Sequence, residues 1–427
     1  MKDRIYMPRI IDPIITDRLS WKGAVCVEGP KWCGKTRSCE EQAKSTFLVG
    51  NPEGNYANRN LAELSPSLAL KGETPHLIDE WQEVPPLWDA VRMEVDKRSE
   101  NGQFILTGSS SPRKKTTLHS GTGRITKLRM RSMSLFESGD SSGKVTISSL
   151  FNDSFEDCMT GNVELAFIAE LIVRGGWPGI LGYGEHAYIE NSRDYINSFL
   201  SEDLLKLDDD KVRRDVRKIG YLLASLARNE STTATVASLC RDIKAATNTD
   251  VKEDTVNEYL DLLNRSFLIE NQEPFTFSSR SSRRLKQAPK RHLTDPSLSC
   301  ALLSLTPAKL MKDLETFGFM FEAIAERDLA IYAASLNGRL CHYQDYGNKE
   351  IDAVLELDDG RWGAFEIKLG ANQIDKAADN LLKISKLITT DNPENAPAFL
   401  AVICGLSKAA YQRQDGVYIL PLTALKP

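Results

Sequence analysis

The sequence predicts an α/β fold built around a parallel sheet, and two observations support this class. Strand-like and helix-like patterns alternate through residues 1–205, which favours a parallel sheet with helices on both faces. A glycine-containing segment, residues 29–36, joins a predicted buried strand, residues 24–28, to a predicted helix over residues 36–44. A loop between a strand and a helix is a common place for phosphate groups to bind.

Residues 29–36 match the P-loop pattern G-x-x-x-x-G-K-[ST] at every position. Backbone N–H groups of such a loop point inward and cradle phosphate oxygens. Lys35 is expected to reach the β- and γ-phosphates of ATP, and Thr36 is expected to ligate Mg²⁺. The predicted nucleotide-binding residues of this loop are Gly29, Pro30, Lys31, Trp32, Cys33, Gly34, Lys35 and Thr36.

Two later apolar runs end in polar residues that would complete the nucleotide site. Residues 76–80 end in Asp79 and Glu80. We expect Asp79 to hold Mg²⁺ and Glu80 to orient or deprotonate the attacking water. Residues 103–110 form another apolar strand that ends in small polar residues, and Ser109, or Thr107 in its place, could contact the γ-phosphate.

Arg124 follows a Ser/Gly-rich loop and is a candidate arginine finger, a residue that neutralises charge developing on the transferred phosphoryl group. A finger supplied by a neighbouring subunit would require a homo-oligomer. The alternative is that residues 124–131 form a basic surface strand whose alternating charges face solvent.

Residues 211–295 show three helical patterns followed by two strand-like runs, which is typical of a winged helix. The third helix carries Glu253, Asp254, Glu258 and Asp261, and these carboxylates would repel DNA phosphates. The predicted wing is basic, and it could grip the backbone of DNA or RNA or could simply be a solvated loop. Its basic residues within 280–291 are Arg280, Arg283, Arg284, Lys286, Lys290 and Arg291.

The C-terminal part carries a second group of candidate catalytic residues. Asp352 lies on one strand of a predicted hairpin, and Glu366 and Lys368, two residues apart, share one face of the other strand. Two converging carboxylates can hold Mg²⁺, and Glu322 on the preceding helix would add a third. This D…E-x-K arrangement resembles that of the PD-(D/E)XK nucleases. The alternative is an exposed hairpin face with cross-strand ion pairs.

Residues 1–270 resemble the prokaryotic AAA-type ATPases of the archaeal-ATPase branch. The resemblance rests on residues 8–12, 29–36, 77–80, 106–110, 121–137 and 175–178. It implies an AAA-type P-loop NTPase core at residues 1–205, and the winged-helix pattern described above predicts a second domain at 206–300. The resemblance also implies a C-terminal α/β domain at 301–427, of a kind that is uncharacterised in function and resembles restriction endonucleases.

The charge, the apolar runs and the cysteine spacing of the sequence restrict the kinds of function that the chain can have. The formal net charge is −5, so any nucleic-acid contact must use a local basic patch. No apolar run approaches the length of a membrane helix, and no secretory leader follows Met1, so we expect a cytoplasmic protein without membrane contact. The eight cysteines include no C-x-x-C pair, which disfavours a zinc site.

Two functional hypotheses follow from the sequence. The first is a Mg²⁺-dependent ATPase that acts on nucleic acid through a nuclease-like C-terminal domain. The second is a non-cleaving switch, or protein-interaction module, that nucleotide binding controls. Intact Asp352, Glu366 and Lys368 favour the first hypothesis. The acidic third helix and the negative net charge favour the second.

Overall fold

A computed structural model describes residues 6–111, 119–204, 215–276, 288–345 and 349–427. The chain divides into two compact units that are interleaved in sequence. The first unit comprises Met1–Ser132, Trp177–Gly179 and Asp261–Leu268, and the second comprises Met133–Gly176, Ile180–Leu260 and Ile269–Pro427. The borders of these units do not coincide with the predicted domain boundaries at 205 and 300.

The first unit contains a parallel sheet in the order β2-β3-β4-β1-β5. Its strands are β1 (Ala24–Glu28), β2 (Ser45–Leu48), β3 (His76–Asp79), β4 (Phe104–Gly108) and β5 (Ile125–Arg129). β1 and β4 are buried along their full length. All the strands run in the same direction, so the ends of β1, β3 and β4 meet at one edge of the sheet. Residues that follow these strands can therefore form a common site.

The helices of the first unit connect these parallel strands. They are α1 (Ile11–Trp21), α2 (Lys35–Glu40), α3 (Glu53–Leu64) and α4 (Pro86–Arg98). Leu87, Trp88 and Val91 of α4 pack into a core with Ile78 and Leu106 of the sheet. The helix after the glycine-containing loop ends at Glu40, earlier than the predicted Lys44.

The second unit contains a mixed sheet in the order β7-β14-β15-β13-β12-β11-β10-β8-β9. Its strands are β7 (Cys158–Met159), β8 (Ile269–Pro274), β9 (Lys290–Leu293), β10 (Gly338–Gln344), β11 (Glu350–Leu357), β12 (Trp362–Lys368), β13 (Phe399–Cys404), β14 (Ala409–Gln412) and β15 (Tyr418–Pro421). The hairpin β8–β9, predicted as a wing, joins this sheet through β8, which pairs with β10. A separate short pair is formed by β6 (Val145–Thr146) and β16 (Leu425–Lys426).

Helices cover this sheet and fill the remainder of the second unit. They are α5 (Ile147–Phe151), α6 (Leu165–Arg174), α7 (Glu185–Ser198), α8 (Val216–Arg228), α9 (Val236–Thr247), α11 (Pro296–Leu302), α12 (Pro307–Leu310), α13 (Leu314–Ser335) and α14 (Ile374–Asp391). Another helix, α10 (Glu253–Arg265), has residues in both units. Helices α8–α10 and the β8–β9 hairpin lie close to their predicted positions in sequence. Their assignment as a winged helix stays a prediction.

None of the helices among the described residues has the length and apolar character needed to span a membrane. The eight cysteines all lie in the described part of the chain, and each has a free thiol.

Candidate functional site

The loop from Gly29 to Thr36 has a backbone form that can bind an anion. Trp32 and Gly34 have left-handed φ angles of 63° and 100°. Alternation of left-handed and right-handed residues turns successive N–H groups into one concave surface, an anion-binding nest. A Cβ atom on Gly29 would lie 2.1 Å from the carbonyl oxygen of Met130, so this position requires glycine.

Lys35 is held inside this loop. Its side chain is buried, and Nζ donates hydrogen bonds to the carbonyl oxygens of Gly29 at 3.0 Å and Pro30 at 2.8 Å. An ammonium group has three donors that can rotate to new acceptors. Lys35 can therefore transfer these bonds from the loop carbonyls to phosphate oxygens.

The other predicted loop residues divide between the interior and the surface. Pro30 and Cys33 are buried, and the Cys33 thiol lies 4.0 Å from the Met130 carbonyl oxygen. Lys31 and Trp32 are exposed. The Cys33 contact places this part of the loop beside the end of β5.

Thr36 and Asp79 come together although 43 positions separate them in sequence. The hydroxyl of Thr36 donates to Asp79 Oδ1 at 2.8 Å, and the hydroxyl of the fully buried Thr107 donates to the same oxygen at 2.6 Å. Burial raises the pKa of the Asp79 carboxyl, while the bonds from Thr107 and Thr36 oppose that rise. Hard oxygen ligands of this kind fit Mg²⁺, which usually keeps several waters when protein groups bind it.

Glu80 lies beside this pair and is fixed by its neighbours. Its Oε2 accepts hydrogen bonds from the Ser109 hydroxyl at 2.8 Å and from the Gln82 amide, and its N–H donates to Thr107 Oγ1 at 3.0 Å. The residue has a left-handed φ of 56°, which is costly for a side chain other than glycine. Such strain is common where a side chain must be aimed at a site.

The sequence analysis does not single out Gln82, and it names Thr107 only as an alternative to Ser109. The β3–β4 pairing in the parallel sheet indicates that Thr107 lies near Asp79. The position of Gln82 depends on the tight helical turn at Trp81–Glu83, which the sequence does not reveal.

Arg124 lies at the amino-terminal end of the parallel strands, whereas the loop lies at their carboxyl-terminal end. Its carbonyl accepts from the N–H of Ala24, the first residue of β1, whereas the loop follows the last residue. Five residues of strand at about 3.3 Å each separate the two ends by roughly 16 Å. The side chain is 45% exposed and pairs with Asp96 at 2.7 Å. Arg124 is therefore too far away to reach a phosphate held by its own loop.

A second cluster of polar residues forms where β11 and β12 pair. The Lys368 ammonium lies 2.8 Å from Asp352 Oδ2 and 2.7 Å from Glu366 Oε2. Asp352 also accepts from the Ile367 N–H at 2.7 Å, and Glu366 accepts from the Asn380 amide at 2.7 Å. Both carboxyl groups are buried. The three predicted residues thus meet in the interior, which argues against the alternative of an exposed hairpin face.

The two carboxyl groups respond differently to this environment. Burial disfavours the charged form of Asp352, but Lys368 and Lys290 outweigh it and hold the pKa below its usual value. Burial raises the pKa of Glu366 to about 7, and the neighbouring Asp352 adds to the rise. The opposite shifts mean that Glu366 takes up a proton first as the pH falls.

We expect the Glu366→Gln variant to lose part of the pH dependence of stability. Folded Glu366 keeps its proton up to about pH 7, whereas an unfolded glutamate releases it near pH 4.5. The folded state therefore binds more protons in this window, and the wild-type free energy of unfolding falls as the pH rises. Between pH 5 and pH 8, the free energy of unfolding should fall by about 2–3 kcal/mol more in the wild type than in the variant.

Urea unfolding at both pH values, with EDTA present, measures this difference. Glu356→Gln on β11, a residue paired with the exposed Arg339, is the matched control and should keep the wild-type slope. Equal pH slopes for wild type and Glu366→Gln would show that this carboxyl is not perturbed.

Glu322 on α13 joins the cluster, but together with a lysine from the predicted wing. Lys290 is 6% exposed, and its ammonium contacts Glu322, Glu326 Oε1 at 2.6 Å and the carbonyl of Asp352 at 3.2 Å. Lys290 therefore does not belong to an exposed phosphate-gripping patch, contrary to the prediction. The sequence could not show that α13 covers this face of the hairpin.

Of the other basic residues in the predicted wing, only Arg291 lies among the described residues. Arg291 is partly buried and donates to the Ala234 carbonyl at 2.6 Å. The remaining members lie outside the described residues, and their proposed contact with DNA or RNA stays a prediction: Arg280, Arg283, Arg284 and Lys286.

A cavity of about 140 Å³ lies beside this cluster, lined by residues that include Lys290, Glu322, His342 and Asp352. Burial and the nearby Lys290 lower the pKa of His342 to about 4, so its imidazole is neutral. His342 Nε2 has no hydrogen-bond partner among the described residues. The cavity thus offers a polar lining to a small ligand or to water.

Within the described ranges, no three His, Cys, Asp or Glu side chains are arranged to hold a metal ion. At the acidic cluster, Lys368 bridges Asp352 and Glu366, and Lys290 contacts Glu322. Four carboxyl groups face these two lysines, namely the buried Asp352, Glu366 and Glu326 and the partly buried Glu322. The surplus of acid is compatible with a divalent cation, which would have to displace lysine contacts on binding.

Comparisons with known proteins divide the chain into three matched segments. Residues 22–138 match the family model of the AAA domain. Residues 166–309 match a domain of unknown function, DUF8612, and residues 317–425 match another, DUF4143. The first match covers the residues that form the P-loop and the parallel sheet, and it supports an AAA-type domain in this segment.

Similar proteins and solved structures were also found. Uncharacterized proteins of Mycobacterium tuberculosis and Mycobacterium bovis are each 27% identical over 350 residues, which is 81% of this chain and 70% of the relative. A Walker-type ATPase of Pyrococcus abyssi gives a TM-score of 0.44 at 15% identity, covering 70% of this chain and 96% of that one. The Drosophila ORC bound to DNA gives a TM-score of 0.22 at 11% identity, covering 66% and 89%.

Proposed function

We propose that this chain is a Mg²⁺-dependent ATPase that controls a nuclease-like C-terminal site acting on DNA or RNA. The observation that carries the ATPase part is the meeting of Thr36, Asp79 and Glu80 beside the loop that holds Lys35. These residues supply the parts that phosphoryl transfer requires, which are an anion cradle, a cation site and a group to orient water.

The proposed roles follow from the contacts. Loop N–H groups and Lys35 bind the phosphates, and Lys35 exchanges its carbonyl contacts for phosphate oxygens. Mg²⁺ bound by Thr36 and Asp79 would neutralise charge on the β- and γ-phosphates. Glu80, aimed by Ser109 and Gln82, orients the attacking water. Ser109 lies beside Glu80, where it can contact the γ-phosphate.

We further propose that Arg124 acts on the nucleotide of a neighbouring subunit in a homo-oligomer. Its position at the edge of the sheet away from its own loop supports action in trans. The exposed ion pair with Asp96 is weak enough to exchange for a phosphate contact.

A complementation experiment tests this arrangement. Glu80→Gln and Arg124→Ala, each alone, should lose ATP hydrolysis by about 100-fold or more. A mixture of the two should regain activity, because a Glu80→Gln subunit supplies an intact Arg124 to the intact loop of its Arg124→Ala neighbour. Phosphate release by each variant and by the mixture is the measurement.

The control mixture combines Glu80→Gln with Lys35→Ala, which damage the same site and should not complement each other. If the first mixture stays as inactive as its parts, Arg124 does not act in trans.

The nuclease-like part of the proposal rests on the convergence of Asp352, Glu366 and Lys368 in the interior of the second unit. Asp352 and Glu366, with Glu322, would hold Mg²⁺, whose charge polarises a phosphodiester and lowers the pKa of bound water. Lys368 would then position that water or stabilise the charge of the transition state.

A second candidate function is a non-cleaving switch whose nucleotide state controls a partner. The lysine contacts on every proposed metal-binding carboxylate of the second unit favour it, because they already compensate part of the acid. A fold of this kind can serve as a binding module without catalysis.

A further inference from the structure

Arg9 lies against the proposed nucleotide loop. It precedes α1 and is 6% exposed. Its Nη1 donates to the carbonyl oxygen of Cys33 at 2.7 Å, and its Nη2 donates to that of Arg131 at 2.9 Å. A guanidinium is a rigid fork that can reach two acceptors at a fixed separation, which a single ammonium cannot reproduce. Arg9 therefore ties the loop to the segment that follows β5.

The backbone around Arg9 is fixed as well. The N–H of Arg9 donates to Asp12 Oδ2 at 2.7 Å, and the N–H of Asp12 donates to the Arg9 carbonyl at 3.0 Å. The Tyr6 hydroxyl donates to Asp12 Oδ2 at 2.6 Å and lies 3.0 Å from Ser38 Oγ on α2. The segment that carries Arg9 is therefore bonded to α2 through Tyr6 and to the segment after β5 through the Arg9 side chain.

The contact between Arg9 and Cys33 sets the direction of the following amide. The peptide between Cys33 and Gly34 is trans, and in a trans peptide the C=O and the next N–H point in opposite directions. Because the Cys33 carbonyl faces Arg9, the N–H of Gly34 faces away from it. The left-handed φ of 100° at Gly34 makes this turn possible without a steric cost.

We propose that Arg9 is a positioning residue of the nucleotide site, which holds the Cys33 carbonyl so that the Gly34 N–H points at the phosphates. This inference rests on the proposed phosphate-binding role of the loop. Without Arg9, the peptide can rotate and present its carbonyl oxygen to the phosphates, where two negative groups repel each other. The buried positive charge of Arg9 also favours an anion on the loop.

The test compares Arg9→Ala and Arg9→Lys in the full chain. In a P-loop the backbone N–H groups contact the α- and β-phosphates, so ADP and a nonhydrolysable ATP analogue should both lose affinity. We expect losses of about 10-fold or more for Arg9→Ala, since hydrogen bonds to charged groups are among the stronger ones. The KM for ATP should rise in parallel, while kcat changes by less than about threefold.

The nucleotide affinity of Arg9→Lys should lie between those of Arg9→Ala and the wild type, because lysine keeps the positive charge but cannot donate to two acceptors as the guanidinium does. Arg18→Ala on α1 is the matched control, since Arg18 forms a surface pair with Asp17 and should leave nucleotide affinity unchanged. Calorimetric titration gives the affinities, and thermal unfolding without nucleotide shows whether each variant is folded. Should Arg9→Ala fail to fold, Arg9→Lys carries the test through its raised KM at a normal melting temperature.

Wild-type affinity in a folded Arg9→Ala variant would overturn the inference, and so would a loss of kcat at unchanged KM. The Lys35→Ala variant, assayed in parallel, distinguishes a failure of the proposed nucleotide site from a failure of the proposed role of Arg9. Normal hydrolysis by Lys35→Ala would mean that the nucleotide site itself is misassigned. An inactive Lys35→Ala with normal binding by Arg9→Ala would reject only the role of Arg9.

Discussion

Replacing Lys35 by alanine is expected to abolish ATP hydrolysis while the chain stays folded. The ammonium is the positive side-chain group that lies inside the loop, where the β- and γ-phosphates are proposed to bind. Its removal takes away charge stabilisation that grows as the γ-phosphoryl group is transferred. We expect a loss of at least about 100-fold in the rate of phosphate release with Mg²⁺ and ATP.

Folding should persist because the Lys35 ammonium contacts backbone carbonyls, and water can enter the space left by the side chain and bond to them. Thermal unfolding of the variant checks this point. Lys44→Ala is the matched control, since Lys44 is exposed and lies outside the loop. Turnover at the wild-type rate in Lys35→Ala would mean that residues 29–36 do not form the catalytic loop.

The Asp352→Asn variant is expected to lose any Mg²⁺- or Mn²⁺-dependent cleavage of nucleic acid. Asparagine keeps an oxygen that can accept from the Ile367 N–H, but it lacks the charge that a divalent cation requires. The loss should exceed about 100-fold, because even groups that only support a metal ligand cost 10- to 100-fold when changed. Assays on single- and double-stranded DNA and on RNA, with and without ATP, measure it.

Asp359→Asn is the matched control for this experiment. Asp359 lies in the turn of the same hairpin, is exposed and pairs with Arg361. Cleavage by Asp352→Asn at the wild-type rate would contradict the proposed site. If the unmodified protein cuts neither DNA nor RNA with either metal, the non-cleaving switch becomes the better account of the second unit.

The parts of the structure that the sequence predicts well are those with strong local patterns. The P-loop lies between β1 and α2, and the β11–β12 hairpin occupies its predicted residues. A period of two in Glu350–Leu357 places Asp352 on a definite face of its strand. The meeting of Asp352 with Glu366 and Lys368 follows from that pairing.

The parts that the sequence does not predict depend on contacts between distant segments. β6, β7 and β16 are two residues long and pair with strands far away in the chain, so they show no periodicity of their own. The burial of Lys290 depends on which face of its hairpin α13 covers. The contact of Arg9 with the Cys33 carbonyl spans 24 positions and involves a backbone atom, which no side-chain pattern marks.

The most direct test of the proposed function is a crystal structure of the protein with Mg²⁺ and a nonhydrolysable ATP analogue. We expect the phosphates to lie on the N–H groups of residues 29–36, with the Lys35 ammonium moved from the Gly29 and Pro30 carbonyls to phosphate oxygens. We also expect Mg²⁺ beside Thr36 and Asp79. A nucleotide bound elsewhere, with Lys35 still on its two carbonyls, would contradict the proposed function.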